Sequence, residues 1–246
     1  MLENSFDHPP VLTAQNLHRS FGSTTALNGV DLRISLGQSL AIMGPSGSGK
    51  STLLHALAGI ELADSGSIQL RLPGQPSLNI HELNDKARTK LRRESFGFIF
   101  QSGLLIPELT AEENVAMALM INGAPRQAAI SAAGQALKSL GLTGMEQRRI
   151  GQLSGGQVQR VAIARAQVTG AMVIFADEPT GALDSNTGSE VLDVLMDATV
   201  AQGRSLVMVT HDASVAAQCD RVVTLRDGKL ISDSARRQDT DHGGAR

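Results

Sequence analysis

Tryptophan and tyrosine are absent from this 246-residue sequence, and six phenylalanines account for its 2% of aromatic residues. So few aromatic side chains leave little surface for stacking nucleobases, which argues against a single-strand nucleic-acid binder. Cysteine occurs once, as Cys219, and no Cys/His cluster has zinc-like spacing. We therefore expect a reducing compartment, no internal disulfide and no structural metal, with Cys219 acting as a small buried side chain.

An excess of charge of one sign is also missing, because 22 Lys and Arg stand against 24 Asp and Glu. A near-neutral chain offers no polybasic field for nucleic acid or for an anionic membrane, so we expect no nucleic-acid partner. No apolar run approaches the roughly 20 residues that cross a bilayer. The first ten residues also lack the basic start and apolar core of an export signal. We predict a non-exported protein that reaches the membrane only through another protein.

The pattern of apolar residues predicts an α/β fold. Alternation and the turn dipeptides Gly22-Ser23 and Asn28-Gly29 indicate an antiparallel sheet edge over residues 12–37. Asp227-Gly228 predicts a hairpin. Short apolar runs separated by helical patterns indicate parallel strands with crossover helices. These runs cover residues 39–43, 96–100, 172–176 and 206–209.

The middle of the chain, about residues 110–140, is Ala-rich with apolar residues at helical spacing. This composition predicts a small helical subdomain at about residues 102–165. We expect a single domain over residues 12–232, with flexible tails at residues 1–11 and 233–246. The last dozen residues are polar and charged, and we expect them to be disordered.

A glycine-rich loop lies between a predicted strand and a predicted helix, and it fits G-x-x-x-x-G-K-[ST]. Its glycines let successive N–H groups converge on phosphates, and the helix presents its positive end to them. Lys50 is expected to contact the β- and γ-phosphates and Ser51 to bind Mg²⁺. The alternative is a Gly/Ser turn before an ordinary helix. The loop reads Gly44, Pro45, Ser46, Gly47, Ser48, Gly49, Lys50, Ser51, and Thr52 closes the motif.

An acid pair, Asp177 and Glu178, follows the apolar run at residues 172–176. A carboxylate at the carboxyl end of a buried parallel strand lies at the edge of the sheet where ligands bind. Asp177 is expected to hold Mg²⁺, and Glu178 to orient and deprotonate the attacking water. Taken alone, the pair also suits the acidic first turn of a helix.

Residues 153–157 read Leu-Ser-Gly-Gly-Gln, and with these motifs the chain resembles the ATP-binding-cassette (ABC) family from about residue 12 to 232. The resemblance implies a P-loop NTPase core of ABC type, with an antiparallel β subdomain and a small helical subdomain. It also implies ATP and Mg²⁺ as cofactors. A serine and two glycines at a helix start form a second anion site. In the family this site faces the nucleotide of a second copy, in a head-to-tail dimer that sandwiches two ATP molecules. The implied residues are Ser154, Gly155, Gly156 and Gln157.

The remaining family marks follow in order. Phe21 stands where an aromatic residue stacks on adenine, although an isolated Phe is more often core. Gln101 matches the glutamine that touches Mg²⁺ and the attacking water, and residues 104–109 would help line the groove for a transporter's coupling helix. Asp184 ends the loop that crosses the dimer interface, and His211 matches the histidine that contacts the γ-phosphate. Two residues depart from the family pattern: Gly151 stands where a proline often precedes residues 153–157, and Gln167 stands where an apolar residue is more usual. Neither is expected to touch a ligand.

Residues 100–102 and 176–184 look most like the branch that serves macrolide efflux, lipoprotein release, haem export and cell division. The resemblance therefore implies an ATPase on the cytoplasmic face of the membrane, which drives export of a hydrophobic or amphipathic substrate through a separate integral membrane permease. Drug, haem, lipid and peptide all stay open, as does GTP in place of ATP. Two alternatives are ATP-driven signalling to a cell-wall enzyme and, more remotely, an ABC ATPase that acts on nucleic acid.

Overall fold

The computed structural model describes residues 10–235. Within this range the chain forms ten strands, seven α-helices and three short 3₁₀ turns at Ile80–Glu82, Ile150–Gln152 and Val200–Gln202. The elements in chain order are β1 (Pro10–Phe21), β2 (Thr24–Ser35), β3 (Ser39–Met43), α1 (Lys50–Leu57), β4 (Ser65–Leu70), β5 (Leu78–Asn79), α2 (Asp85–Ser95), β6 (Phe96–Phe100), α3 (Ala111–Ile121), α4 (Arg126–Ser139), α5 (Gly155–Gln167), β7 (Val173–Asp177), α6 (Ser185–Ala198), β8 (Ser205–Val209), α7 (Ala213–Ala216), β9 (Arg221–Arg226) and β10 (Lys229–Asp233).

The chain divides into two compact units, and the two points of division fall inside α2 and inside β8. The first contains residues up to 88 together with those from 207 onward, and the second contains residues 89–206. β1 begins two residues before the predicted start of the domain, and β10 ends one residue beyond its predicted end. The outer parts of both predicted tails, residues 1–9 and 236–246, lie outside the described residues.

The first unit holds a four-stranded antiparallel sheet in the order β2-β1-β4-β5. It also holds the neighbours β10, β9 and β3, in which β9 pairs antiparallel with β10 and parallel with β3. Asp227 and Gly228 have φ of 49° and 71° and connect β9 to β10. Two successive positive φ angles are what a two-residue hairpin requires, so the predicted hairpin is confirmed.

Asn28-Gly29, predicted as a turn, lies inside β2, so this prediction is wrong. Gly29 has a φ of 73°, and the pairing of β1 with β2 shifts register nearby, between Leu17 and His18. The positive φ serves a bulge in a long strand rather than a chain reversal. The alternation beyond it is as expected, because Val30, Leu32 and Ile34 are all buried.

The second unit holds the parallel strands β6 and β7 together with helices α3 to α6. Phe96, Phe98 and Phe175 pack on this sheet, with ring centroids 5.2 and 5.8 Å from Phe175. Gly97 lies where an added Cβ would collide with the carbonyl oxygen of Ala166, so β6 packs against the backbone of α5. The α/β organisation is the one predicted. Among the helices of residues 10–235, none has the length and apolarity that crossing a membrane requires.

Candidate functional site: two motif-bearing edges

The glycine-rich loop connects β3 to α1 in the first unit. A Cβ added at Gly44 would collide with the carbonyl oxygen of Leu225, and one added at Gly49 would collide with that of Ala26. Both glycines also have positive φ, 150° and 98°. Only glycine fits these two positions, so the loop is held tightly against neighbouring backbone.

Lys50, the first residue of α1, folds back over the loop. Its ammonium donates hydrogen bonds to the carbonyl oxygens of Gly44 and Pro45, at 2.9 and 2.8 Å. The hydroxyl oxygen of Ser48 is buried and has no hydrogen-bond partner. A buried polar atom of this kind is usually satisfied, so the orphaned hydroxyl suits an anionic ligand in the loop. Pro45, Ser46, Gly47 and Ser51 are exposed, and Thr52 is half-buried.

Phe21 ends β1 and is 47% exposed, so it is not a core residue. The guanidinium carbon of Arg19 lies 4.7 Å from the centroid of its ring. Arg19 in turn forms an ion pair with Asp64 at 2.6 Å, and the N–H of Ser20 donates to the same carboxylate. These bonds, that of Ser20 first, lower the pKa of the Asp64 carboxyl. Sequence reasoning missed Arg19 and Asp64, because 45 positions separate them.

His211 follows β8 and is exposed. The N–H of Thr210 donates to the carbonyl oxygen of Ile42 at 3.3 Å, so the carboxyl ends of β8 and β3 are adjacent. His211 and the glycine-rich loop therefore leave the sheet at the same edge. Asp212 caps α7, and the hydroxyl and N–H of Ser214 lower the pKa of its carboxyl.

A second edge, in the second unit, carries Gln101, Asp177 and Glu178. β6 and β7 are parallel with Phe100 opposite Asp177, so Gln101 and Glu178 leave the sheet together. A Cβ placed on Gly181 would lie 3.0 Å from the side-chain nitrogen Nε2 of Gln101 and 3.5 Å from the Cβ of Glu178. Glu178 has a φ of 49°, unusual for a side chain of this size. Strained backbone often marks functional positions, and no sequence signal indicated it.

Ser154 is the N-cap of α5 and forms a capping box with Gln157. Its hydroxyl accepts from the N–H of Gln157 at 3.4 Å, and its own N–H donates to the Gln157 side chain at 3.0 Å. An added Cβ would lie 2.9 Å from Leu183 at Gly155 and 2.6 Å from Thr187 at Gly156. The two glycines therefore let the start of α5 lie close to Leu183 in the loop before α6 and to Thr187 in α6.

Asp184, the last residue of that loop, is the N-cap of α6. Its carboxylate accepts from the N–H groups of Asn186 and Thr187, at 3.2 and 3.1 Å. The side chain of Thr187, followed by its N–H, lowers the pKa of the Asp184 carboxyl. A structural reason thus exists for an aspartate here, whatever else the loop contacts.

Away from the motifs, the second unit has an apolar groove of about 260 Å³, whose lining includes Phe98, Ala118 and Ile121. Ile121 is 55% exposed, and Leu104 of the loop after β6 is 59% exposed. Another cavity, of about 620 Å³, contains Gln167, whose side chain accepts a hydrogen bond from Arg204 at 3.2 Å. The departure at Gln167 is therefore explained by a polar partner. Gly151 lies in a 3₁₀ turn with open space around it.

Comparison with protein-family models matches residues 27–181 to the family described as "ABC transporter". The match includes the glycine-rich loop and the start of α5, and it excludes Phe21 and His211. Among curated relatives, the pyoverdine export ATP-binding/permease protein PvdT of Pseudomonas fluorescens is 42% identical over 92% of this chain and 34% of its own length. The macrolide export ATP-binding/permease protein MacB of Rhodopseudomonas palustris is 47% identical over 89% of this chain and 33% of its own. The chain thus spans about a third of these relatives.

Solved structures give the same fold. A dimeric structure of MJ0796, described as a bacterial ABC transporter cassette, is 36% identical, covers 91% of this chain and 97% of its own, and superposes with a TM-score of 0.81. A second dimeric structure of MJ0796, a post-hydrolysis state bound to ADP and Pi, has a TM-score of 0.79 at the same identity and coverage. The predicted P-loop fold of ABC type is confirmed by these matches.

Proposed function

The chain belongs to the ABC transporter family, and from this premise we propose that it hydrolyses ATP to drive an exporter. The observation that carries the proposal is the glycine-rich loop. Its two constrained glycines, the Lys50 ammonium folded over its carbonyls and the buried hydroxyl of Ser48 together form a cradle for phosphate. The post-hydrolysis MJ0796 structure, with its ADP and Pi, supports a nucleotide as the ligand of this fold.

In the first unit, we assign the phosphates to the loop and the base to Phe21. Lys50 places a cation beside the β- and γ-phosphates, while backbone N–H groups within residues 46–52 would donate to them. Arg19 already lies over the Phe21 ring, and the opposite face would stack on adenine. Stacking tolerates other purines, so GTP is also a candidate. His211, at the same edge of the sheet, would donate to the γ-phosphate.

In the second unit, we assign proton transfer to Glu178. Its carboxylate would orient the attacking water and accept the proton as the oxygen attacks phosphorus. The residues expected to hold Mg²⁺ are Ser51, Gln101 and Asp177, whose oxygens are the donor type that this ion prefers. When bound, the ion would neutralise charge on the phosphates.

We further propose that two copies of the chain pair head to tail, each presenting the start of α5 to the nucleotide of the other. The support is the capped helix start at Ser154, with Gly155 exposed beside it, and the dimeric state of the MJ0796 cassettes. The contacts would come from Ser154, Gly155, Gly156 and Gln157, and the loop ending at Asp184 would cross the interface.

An integral membrane permease is the proposed partner, with the cassette peripheral on the cytoplasmic face of the membrane. PvdT and MacB are named ATP-binding/permease proteins, and the chain matches about a third of each. The exposed Leu104 and Ile121, together with the apolar groove beside Phe98, would receive a cytoplasmic segment of the permease. The names of these relatives, which print pyoverdine export and macrolide export, favour export over import. The proposed substrate is hydrophobic or amphipathic: a drug, haem, a lipid or a peptide.

Replacement of Glu178 tests the proposed chemistry. Because an uncharged amide cannot accept the proton of the water, Glu178→Gln should lower steady-state ATP hydrolysis about 100-fold or more while ATP binding is kept. The matched control is Glu190→Gln, which removes an exposed glutamate from α6 and should leave hydrolysis unchanged. Intact hydrolysis in Glu178→Gln would contradict the assignment.

Substrate stimulation tests the output. ATPase activity is measured for the protein purified with its membrane partner, with hydrophobic candidate substrates titrated in. Stimulation by one of them supports export and identifies the substrate. Hydrolysis that responds to no substrate but depends on the partner would favour ATP-driven signalling instead.

A further inference from the structure

Helix α5 holds the chain on both sides of Gln101. Before it, the side-chain amide of Gln159 donates to the carbonyl oxygen of Phe100 at 3.1 Å, and Gln159 is only 3% exposed. After it, the guanidinium of Arg165 donates to the carbonyl oxygens of Gly103 and Leu104, at 2.8 and 2.7 Å. One helix therefore holds the backbone directly before the glutamine and again two and three residues after it.

The Arg165 guanidinium holds these carbonyls at a cost in solvation. Burial lowers its pKa, which means that the surroundings favour the charged form less than water does. Two carbonyl dipoles balance the charge less completely than a carboxylate would. A planar fork that spans two successive carbonyls is also a geometry that lysine cannot reproduce.

Leu104 is the residue that this fork positions. Its φ is 44°, a conformation that leucine rarely adopts, and the residue is 59% exposed. The following residues are held separately, because the buried Asn114 side chain accepts from the N–H of Ile106 and donates to its carbonyl oxygen. The loop is thus fastened at both ends, with an apolar side chain projecting between them.

The opposite end of α5 starts at Ser154, eleven residues from Arg165, or about 16 Å along a helix. We propose that Arg165 is a positioning residue. It ties the Gly103–Leu104 loop to α5, so that engagement of ATP at Ser154 is transmitted to the Leu104 surface. The inference rests on the proposed function, in which the start of α5 meets nucleotide and Leu104 faces the permease. It assigns the connection between them to one guanidinium.

A reporter thiol at the surface tests this without the permease. Leu104→Cys is made together with Cys219→Ala and Glu178→Gln, so that one thiol reacts and bound ATP is not consumed. The rate of labelling by a thiol reagent is measured with and without Mg-ATP, and ATP binding is measured separately. In this parent we expect ATP to change the labelling rate.

Three variants of the parent decide the matter. Arg165→Met should lose the ATP-dependent change in labelling while still binding ATP, and Arg165→Lys should retain part of it, because an ammonium reaches one carbonyl. Arg160→Met is the control. Arg160 lies on the same helix, but its guanidinium donates to the carbonyl oxygen of Leu140 and to the carboxylate of Glu190, each at 3.4 Å. It should respond to ATP like the parent.

An ATP response in Arg165→Met and Arg165→Lys as large as the parent's would overturn the inference and leave the proposed function standing. Should Arg165→Met fail to fold, Arg165→Lys alone decides, and a full response in it has the same meaning. Absence of ATP binding in the parent would instead refute the proposed function, on which the inference rests.

Discussion

The ion pair of Arg221 with Asp233 joins β9 to β10 in the first unit and is nearly buried, with side chains 12% and 8% exposed. The guanidinium donates to both carboxylate oxygens, at 2.9 and 2.7 Å, and to the carbonyl oxygen of Arg33 in β2 at 2.6 Å. Removal of one partner from a buried pair costs about 3–5 kcal/mol, because the other charge stays in a poorly solvating place. Arg221→Met, which keeps the stem of the side chain, should therefore be strongly destabilising.

The midpoint of thermal unfolding, followed by circular dichroism, measures this cost. A chain of this size loses about 2–4 °C per kcal/mol, so Arg221→Met should lower the midpoint by about 6 °C or more. The control is Arg226→Met on the same strand, where the side chain is exposed and the effect should stay within about 0.5 kcal/mol.

A second substitution separates lost attraction from stranded charge. Arg221→Met combined with Asp233→Leu leaves neither charge buried, and apolar replacement of such pairs is often nearly neutral. The double variant should therefore be more stable than the sum of the single effects implies, which is a coupling measurable in a double-mutant cycle. Equal midpoints for Arg221→Met and Arg226→Met would refute the reasoning.

Two further predictions concern titrating groups of the first unit. Both ring nitrogens of His81 are buried without a partner, and burial, then the charge of Arg88, lowers its pKa. The unfolded chain thus binds the proton more readily, so stability should fall as pH drops below about 6.5, and less steeply in His81→Gln; identical urea midpoints across pH would contradict this. Burial, then Asp220, raises the pKa of Cys219 to about 12. Its thiolate fraction at pH 8 should be about a thousandfold below that of an ordinary cysteine, and labelling should be much slower in the native than in the urea-unfolded protein; similar rates would contradict this.

The sequence predicts the bounds of the strands that lead into the candidate site residues better than it predicts the bounds of the antiparallel strands β1 and β2. β3 and β6 have the predicted bounds, because each is a short apolar run that stops at a glycine or a polar residue. Asn28-Gly29 misled because a positive φ suits a bulge as well as a turn, and only the strand partners decide between them. The lengths of β1 and β2 depend on their pairing with each other, from Phe21 opposite Thr24 to Pro10 opposite Ser35, and local composition does not encode that register.

The candidate site shows the same division. The sequence motifs locate Lys50, Asp177 and Ser154 correctly at the ends of helices and strands, because each motif includes the point where a helix begins or a strand ends. The cation over the Phe21 ring could not be predicted, because Arg19 and its partner Asp64 look like ordinary surface charges in the sequence. Arg165 is similar: it looks like a solvated residue of a helix, and only the fold brings the two carbonyls of residues 103 and 104 to it.

The capping box at the start of α5 gives the oxygen of the Ser154 hydroxyl a hydrogen bond within the protein before any ligand binds. A phosphate would accept a hydrogen bond from the Ser154 O–H, and the hydroxyl oxygen can still accept from the N–H of Gln157, 3.4 Å from oxygen to nitrogen. Phosphate binding therefore costs no hydrogen bond at the helix start, because the O–H that donates is separate from the lone pair that accepts. Loss of the hydroxyl would remove both the acceptor for the Gln157 N–H and the donor to the phosphate. Lower stability and lower nucleotide affinity are therefore expected together.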